Sequence, residues 1–143
     1  MSQENKDLVL RLDREGFFKQ DFAVIDEILA EDFVDHDPPP GTDGNREGFK
    51  QMCTMVMGGF PDMETTEEQL VAEGDLVVHS WTTEGTHDGD MMGMPATGKR
   101  VTFRGMEMWR VEDGRLAEHR GVVDLMDMLT KAGVVPEMAP AGA

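Results

Sequence analysis

The chain has 143 residues and a formal net charge of −16, enough length for one domain with a single sizeable core and an acidic field that repels phosphate backbones, so no nucleic-acid partner is expected. Its single cysteine, Cys53, excludes an internal disulfide and a Cys-based zinc site. No stretch approaches the ~20 apolar residues that span a bilayer and the first residues lack the apolar core of a signal peptide; we expect a cytoplasmic protein with no membrane partner.

The first helical pattern covers residues 4–19, with Val9, Leu12, Gly16 and Phe17 at helical offsets. A second covers 22–30, where Phe22, Ile25 and Leu29 share a face, and residues 31–36 read as a short strand stopped by Asp37-Pro38-Pro39-Pro40-Gly41. The clearest helix spans 45–57: Phe49, Met52, Cys53, Val56 and Met57 form one apolar stripe, Asp43 or Asn45 can cap it, and Gly58-Gly59 ends it. Cys53 in that stripe reads as a core residue.

Beyond residue 63 the pattern becomes β. Segments 63–73 and 76–87 flank a turn at Gly74-Asp75, and segments 99–111 and 115–123 flank Asp113-Gly114. Residues 124–131 suit a last helical turn. This order predicts an α+β domain over 1–133, with helices on the concave face of a curved antiparallel sheet and a cavity between them, followed by a flexible tail over 134–143. Thirteen methionines and no tyrosine suit a roomy apolar pocket. Apolar residues on both alternations of 79–83 and 101–109 point to a homodimer through the outer face of the sheet.

Gly85-Thr86-His87-Asp88-Gly89 followed by Gly93-Met94-Pro95-Ala96-Thr97-Gly98 resembles the signature of the SnoaL-like polyketide cyclase and ester cyclase family, within the NTF2-like superfamily. Asp35-His36-Asp37-Pro38, Phe60-Pro61-Asp62, Gly74-Asp75-Leu76-Val77, Arg110 to Gly114, and Glu118-His119 ahead of Asp124 stand in the family's order. The resemblance implies a cone-shaped fold, usually a dimer, and in members that close polyketide rings an intramolecular aldol condensation by acid–base groups on the sheet. There a carboxylate stands two residues after the histidine of the Glu/Asp-His pair, and a histidine three residues before the arginine. Here those positions are Gly121 and Glu107.

The lost carboxylate and the gained one would lie on neighbouring strands, which makes Glu107, with His119 assisting, the candidate catalytic pair. Burial among Met106, Met108 and Trp109 is expected to raise the Glu107 pKa and poise it as a base. His36, Phe60, Trp81, His87, Phe103, Trp109 and Asp124 are candidate pocket residues, with Asp124 also readable as a helix cap or arginine partner. The loop 88–97 is a candidate flap. No spacing fixes a metal and no phosphate loop or nucleophile elbow occurs, so no cofactor is expected. Two functions fit: a cofactor-independent cyclase acting on a small apolar carbonyl-bearing ligand, or a hydrophobic binding module on the same fold, the reading that Gly121 favours. An epoxide hydrolase would need an Asp-Arg-Asp set, for which Arg110 and Asp124 are too few.

Overall fold

Residues 2–136 are described in the computed structural model. In chain order they form α1 (Ser2–Arg11), which continues as a π-helical stretch (Leu12–Phe18), then α2 (Phe22–Ile28), β1 (Leu29–Asp35), α3 (Arg46–Gly59), β2 (Glu64–Glu73), β3 (Leu76–Thr86), β4 (Arg100–Glu112), β5 (Arg115–Val123) and α4 (Leu125–Lys131). The strand order is β1-β5-β4-β3-β2, a meander of four antiparallel strands with β1 added at its edge.

Both anticipated turns form. Glu73 pairs with Leu76 around Gly74-Asp75. Glu112 pairs with Arg115 around Asp113-Gly114, whose φ values of 51° and 75° are those of a hairpin turn that matches strand twist. In α3, Asn45 rather than Asp43 is the cap, its side chain accepting from Gly48 N at 2.9 Å, and the helix continues through Gly59.

Four expectations need correction. The sheet is mixed, because β1 runs parallel to β5; alternation within β1 is the same whichever way its neighbour runs, so the sequence carries no direction. The first helix changes to π winding at Leu12, which no apolar spacing announces. Phe22 is exposed, and α2 instead buries Val24, Ile25 and Ile28. The strand begins at Leu29, fully buried in the core, and not at residue 31.

One core lies between the helices and one end of the sheet, where Phe33 stacks on Trp109 at 6.0 Å and Phe49 meets both edge-on. A second, around Phe60, Met63, Val101, Phe103 and Met128, closes the other end. Val134, at the start of the expected tail, packs on this second cluster; residues 137–143 of that tail lie outside the described residues. Between the two clusters the concave face of the sheet stays open.

Candidate active site

The register of the sheet brings one polar side chain from each strand into a single row across the concave face. Glu107 on β4 stands directly opposite Gly121 on β5 and His79 on β3, while Asp35 on β1 is paired with His119. His119 donates through Nδ1 to Asp35 at 2.8 Å and through Nε2 to Glu107 at 3.1 Å. His79 donates through Nδ1 to Glu107 at 3.1 Å and through Nε2 to Glu68 on β2 at 3.0 Å. Arg14 in the π-helical stretch closes the outer end on Glu68 at 3.0 Å. Carboxylate and imidazole alternate along the whole row.

Gly121 makes the row possible. His119 lies opposite Trp109 in the ladder, one step away from Glu107, so its ring must lean across position 121. A Cβ there would sit 3.1 Å from the His119 ring and 3.1 Å from the Glu107 Cβ. Gly105 does the same for Trp81, whose ring would be 2.4 Å from a Cβ. The missing carboxylate at 121 and the gained one at 107 are thus physically coupled: the bare backbone of one makes room for the imidazole that binds the other.

The charges reverse one expectation. Burial by itself would raise the Glu107 carboxyl, but hydrogen bonds from His119 and His79 outweigh it and hold the group at about 2. Burial would lower His119, yet Asp35 and Glu107 lift it to about 9. His79 is raised too, against its burial, by Glu107 and Glu68. Glu107 is therefore a fixed anion between two imidazoles held toward their charged form, and not a carboxyl poised near neutrality.

Over this row lies an apolar cavity of about 350 Å³. Glu107, His119, Trp81, Phe103 and Trp109 line it, with Met52, Met55, Met63, Met91 and Met128 among the other walls. The structure places the remaining candidates elsewhere. His36 alternates away from the cavity and bonds Glu118 at 2.9 Å, while its neighbours Asp35 and Asp37 face inward. Phe60 and His87 stack on each other at 5.3 Å within the second core, behind Phe103. Asp124 caps α4, accepting from Asp127 N at 3.3 Å. Met91 and Met92 of the candidate flap reach the cavity. Sequence reasoning missed Asp35, His79 and Glu68, and also Asp13, a cavity carboxylate in the π-helical stretch that burial, then repulsion by Glu107, raises to about 7. Among the described residues no group of three or more His, Cys, Asp or Glu is arranged to hold a metal ion, since each imidazole nitrogen of the row is turned to a different carboxylate.

The model of SnoaL-like polyketide cyclases matches residues 7–132. The chain belongs to the SnoaL-like polyketide cyclase family. It is 27% identical over 111 residues to the aklanonic acid methyl ester cyclase DauD of Streptomyces sp. (strain C5), covering 77% of this chain and 67% of that one. It is 27% identical over 113 residues to the nogalonic acid methyl ester cyclase of Streptomyces nogalater, covering 76% and 83%. Among solved structures, wild-type IdmH from Streptomyces antibioticus superposes with a TM-score of 0.77 at 36% identity, over 91% of this chain and 99% of that one.

The residues that resemble the SnoaL-like signature build a clasp beneath the flap. His87 N bonds Lys99 O at 2.8 Å and Gly98 N bonds His87 O at 2.9 Å. The His87 ring bonds Thr97 at 3.0 Å, and Asp62 accepts from both the backbone and hydroxyl of Thr86. Asp88 N and Gly89 N both donate to Gly59 O at the end of α3. These residues fix where the loop leaves and re-enters the sheet.

Linkage gives the row a signature in pH. His119, raised from 6.5 to about 9, contributes stability that is complete below 6.5 and is lost as pH rises toward 9. Glu107, lowered from 4.5 to about 2, contributes stability that is complete above 4.5 and is lost as pH falls toward 2. Asp13, raised from 3.8 to about 7, loses its contribution between those values, so thermal stability should be greatest near pH 4.5 and fall from there. The His119 contribution is isolated between pH 7 and 9, where Asp13 and the ordinary carboxylates are already ionised. Melting temperatures measured across this range should decline in the parent and decline much less in His119→Gln; a parent whose melting temperature stays level from pH 7 to 9 would contradict the assignment.

Proposed function

We propose that this chain is a cofactor-independent cyclase acting by acid–base chemistry on an apolar carbonyl compound, with His119 and Glu107 at its reacting centre. The observation that carries the reading is a hydrogen-bonded imidazole–carboxylate pair, His119 and Glu107, on the floor of a largely apolar cavity. Such a cavity removes carbonyl compounds from water and offers them a few placed polar groups to meet.

In this reading His119 is the acid. Its Nε2–H turns from Glu107 to a substrate carbonyl oxygen and protonates it as negative charge develops there. Glu107 holds the imidazole charged and aimed, as Asp35 does from the other side. The two Streptomyces cyclases are named for methyl esters of aklanonic and nogalonic acid, which favours a methyl ester that also carries a ketone, a keto ester, as the compound. A panel of keto esters able to close a ring by aldol addition tests this: the product keeps the reactant's mass and is separated by chromatography. The parent should form it, and His119→Gln should do so at least ~100-fold more slowly with binding little changed. A parent that binds the panel and converts none of it would instead favour the binding module.

We further propose that the protein works in the cytoplasm as a homodimer. No helix among the described residues is long and apolar enough to cross a membrane. The outer face of the sheet exposes Val71, Met106 and Val122, a surface suited to a second copy. Light scattering at micromolar concentration should give twice the 15.9 kDa chain mass; the single-chain mass would overturn the dimer.

A further inference from the structure

Ring closure needs a base as well as an acid, and Glu107, held at about 2 between two histidines, is too weak to lead. Four carboxylates line the cavity: Asp13, Asp35, Asp37 and Glu107. Asp35 accepts from His119 and from Asp37 N. Asp37 accepts from Gly121 N at 2.9 Å. Glu107 accepts from His119 and His79. Asp13 alone of the four takes no hydrogen bond from any described residue.

Its position is unusual on other grounds. Asp13 comes from the helical layer, so it faces the row across the cavity, where the three others stand on or beside the sheet. It lies four residues after Val9 and four before Phe17, inside the apolar stripe of its own helix, and Val9, Leu12, Phe17 and Phe18 share the cavity wall with it. It belongs to the π-wound stretch, a geometry that recurs at functional sites. A half-buried carboxylate that takes no hydrogen bond from any described residue costs stability, which makes a structural role a poor account of it.

We infer that Asp13 is the catalytic base of the pocket, taking the proton α to a carbonyl of the bound substrate while His119 serves the carbonyl oxygen from the opposite side. This inference rests on the acid–base reading above. Asp13 accepts the α proton, and the electron pair of that C–H bond becomes the enolate. The enolate carbon then bonds to a second carbonyl carbon of the same molecule, whose π pair moves to its oxygen and takes the Nε2 proton of His119. The proton on Asp13 is then released to solvent and His119 takes one back from solvent, so both groups regain their starting states and no net proton is consumed. No oxidant, reductant or second substrate enters.

The groups that face Asp13 agree with this role. Glu107 on β4 and Glu68 on β2 repel its charge, His79 on β3 and Arg14 on its own stretch attract it, and burial adds to the repulsion, so that its carboxyl stands at about 7. Cys53 on α3 also faces it, its thiol pushed up by burial and then by Asp13. A base at about 7 opposite an acid at about 9 gives a bell-shaped rate profile with limbs near those values.

Exchange of α-hydrogens in D2O by an apolar β-keto ester, methyl 3-oxododecanoate, read by NMR over the uncatalysed background, isolates the base from ring closure. The parent should accelerate exchange with a limb near pH 7. Asp13→Asn should lose at least ~100-fold of that acceleration together with the limb, while melting at or above the parent's temperature at pH 8. Asp13→Glu should recover part of both. An Asp13→Asn variant that exchanges at the parent's rate, or keeps the limb, overturns the assignment of Asp13 alone. A parent that accelerates no exchange overturns the acid–base reading itself and Asp13's role with it.

Discussion

Alternation of charge is the constraint on which this structure depends. Asp35, His119, Glu107, His79 and Glu68 sit on five adjacent strands and are joined by four hydrogen bonds of 2.8–3.1 Å. Any one of these groups, buried alone, would be costly, because taking a charge out of water costs several kcal/mol that only close opposite charge offsets. In sequence along the row each ion has opposite neighbours, and Arg14 completes the last pair. The same logic makes the row fragile: removing one member leaves its neighbours charged and unpaired. It also ties the sheet together, since the β4–β5 and β3–β4 registers must both hold for Glu107 to meet two histidines.

The row divides the cavity into a polar floor and apolar walls. Aromatic clusters at each end of the sheet, around Trp109 and around Phe103, supply rigidity while leaving the middle unfilled. Two glycines on the floor, Gly105 and Gly121, let the Trp81 and His119 rings lie close against the sheet. The helical layer closes the other side and presents Asp13. Stability here is held in the paired charges and the end clusters, and the one cavity carboxylate without a hydrogen bond from any described residue, Asp13, stands where a substrate would be. Such local costs are common where a protein does chemistry.

Much of the fold was legible. The Asp113-Gly114 turn, the apolar stripe of α3 and the alternation of β3 and β4 are local patterns, and the SnoaL-like resemblance survived because its residues form the clasp under loop 88–97, where spacing is fixed by short hydrogen bonds. For the same reason that signature says little about chemistry: His87 is a clasp residue, and Phe60 is its packing partner. Within Asp35-His36-Asp37 the histidine drew attention, yet strand alternation sends the carboxylates inward. Alternation also placed Glu107 and His119 on one face, but their protonation depended on His79 and Asp35, partners whose contacts are set by cross-strand register. Asp13 carried a visible sign, an acid within an apolar stripe, while the π winding of its helix left none. The parallel direction of β1 was equally silent.

The protonation of His119 and His79 is the most direct test of this account. Nitrogen-15 NMR of the histidine side chains, assigned with His119→Gln and His79→Gln, reads ring protonation as a function of pH. The account predicts that His119 keeps both ring protons well above pH 7 and releases one only near 9, and that His79 also titrates above 6.5. A His119 ring that becomes neutral at about 6.5, with one nitrogen free, would contradict the charge row and the roles built on it.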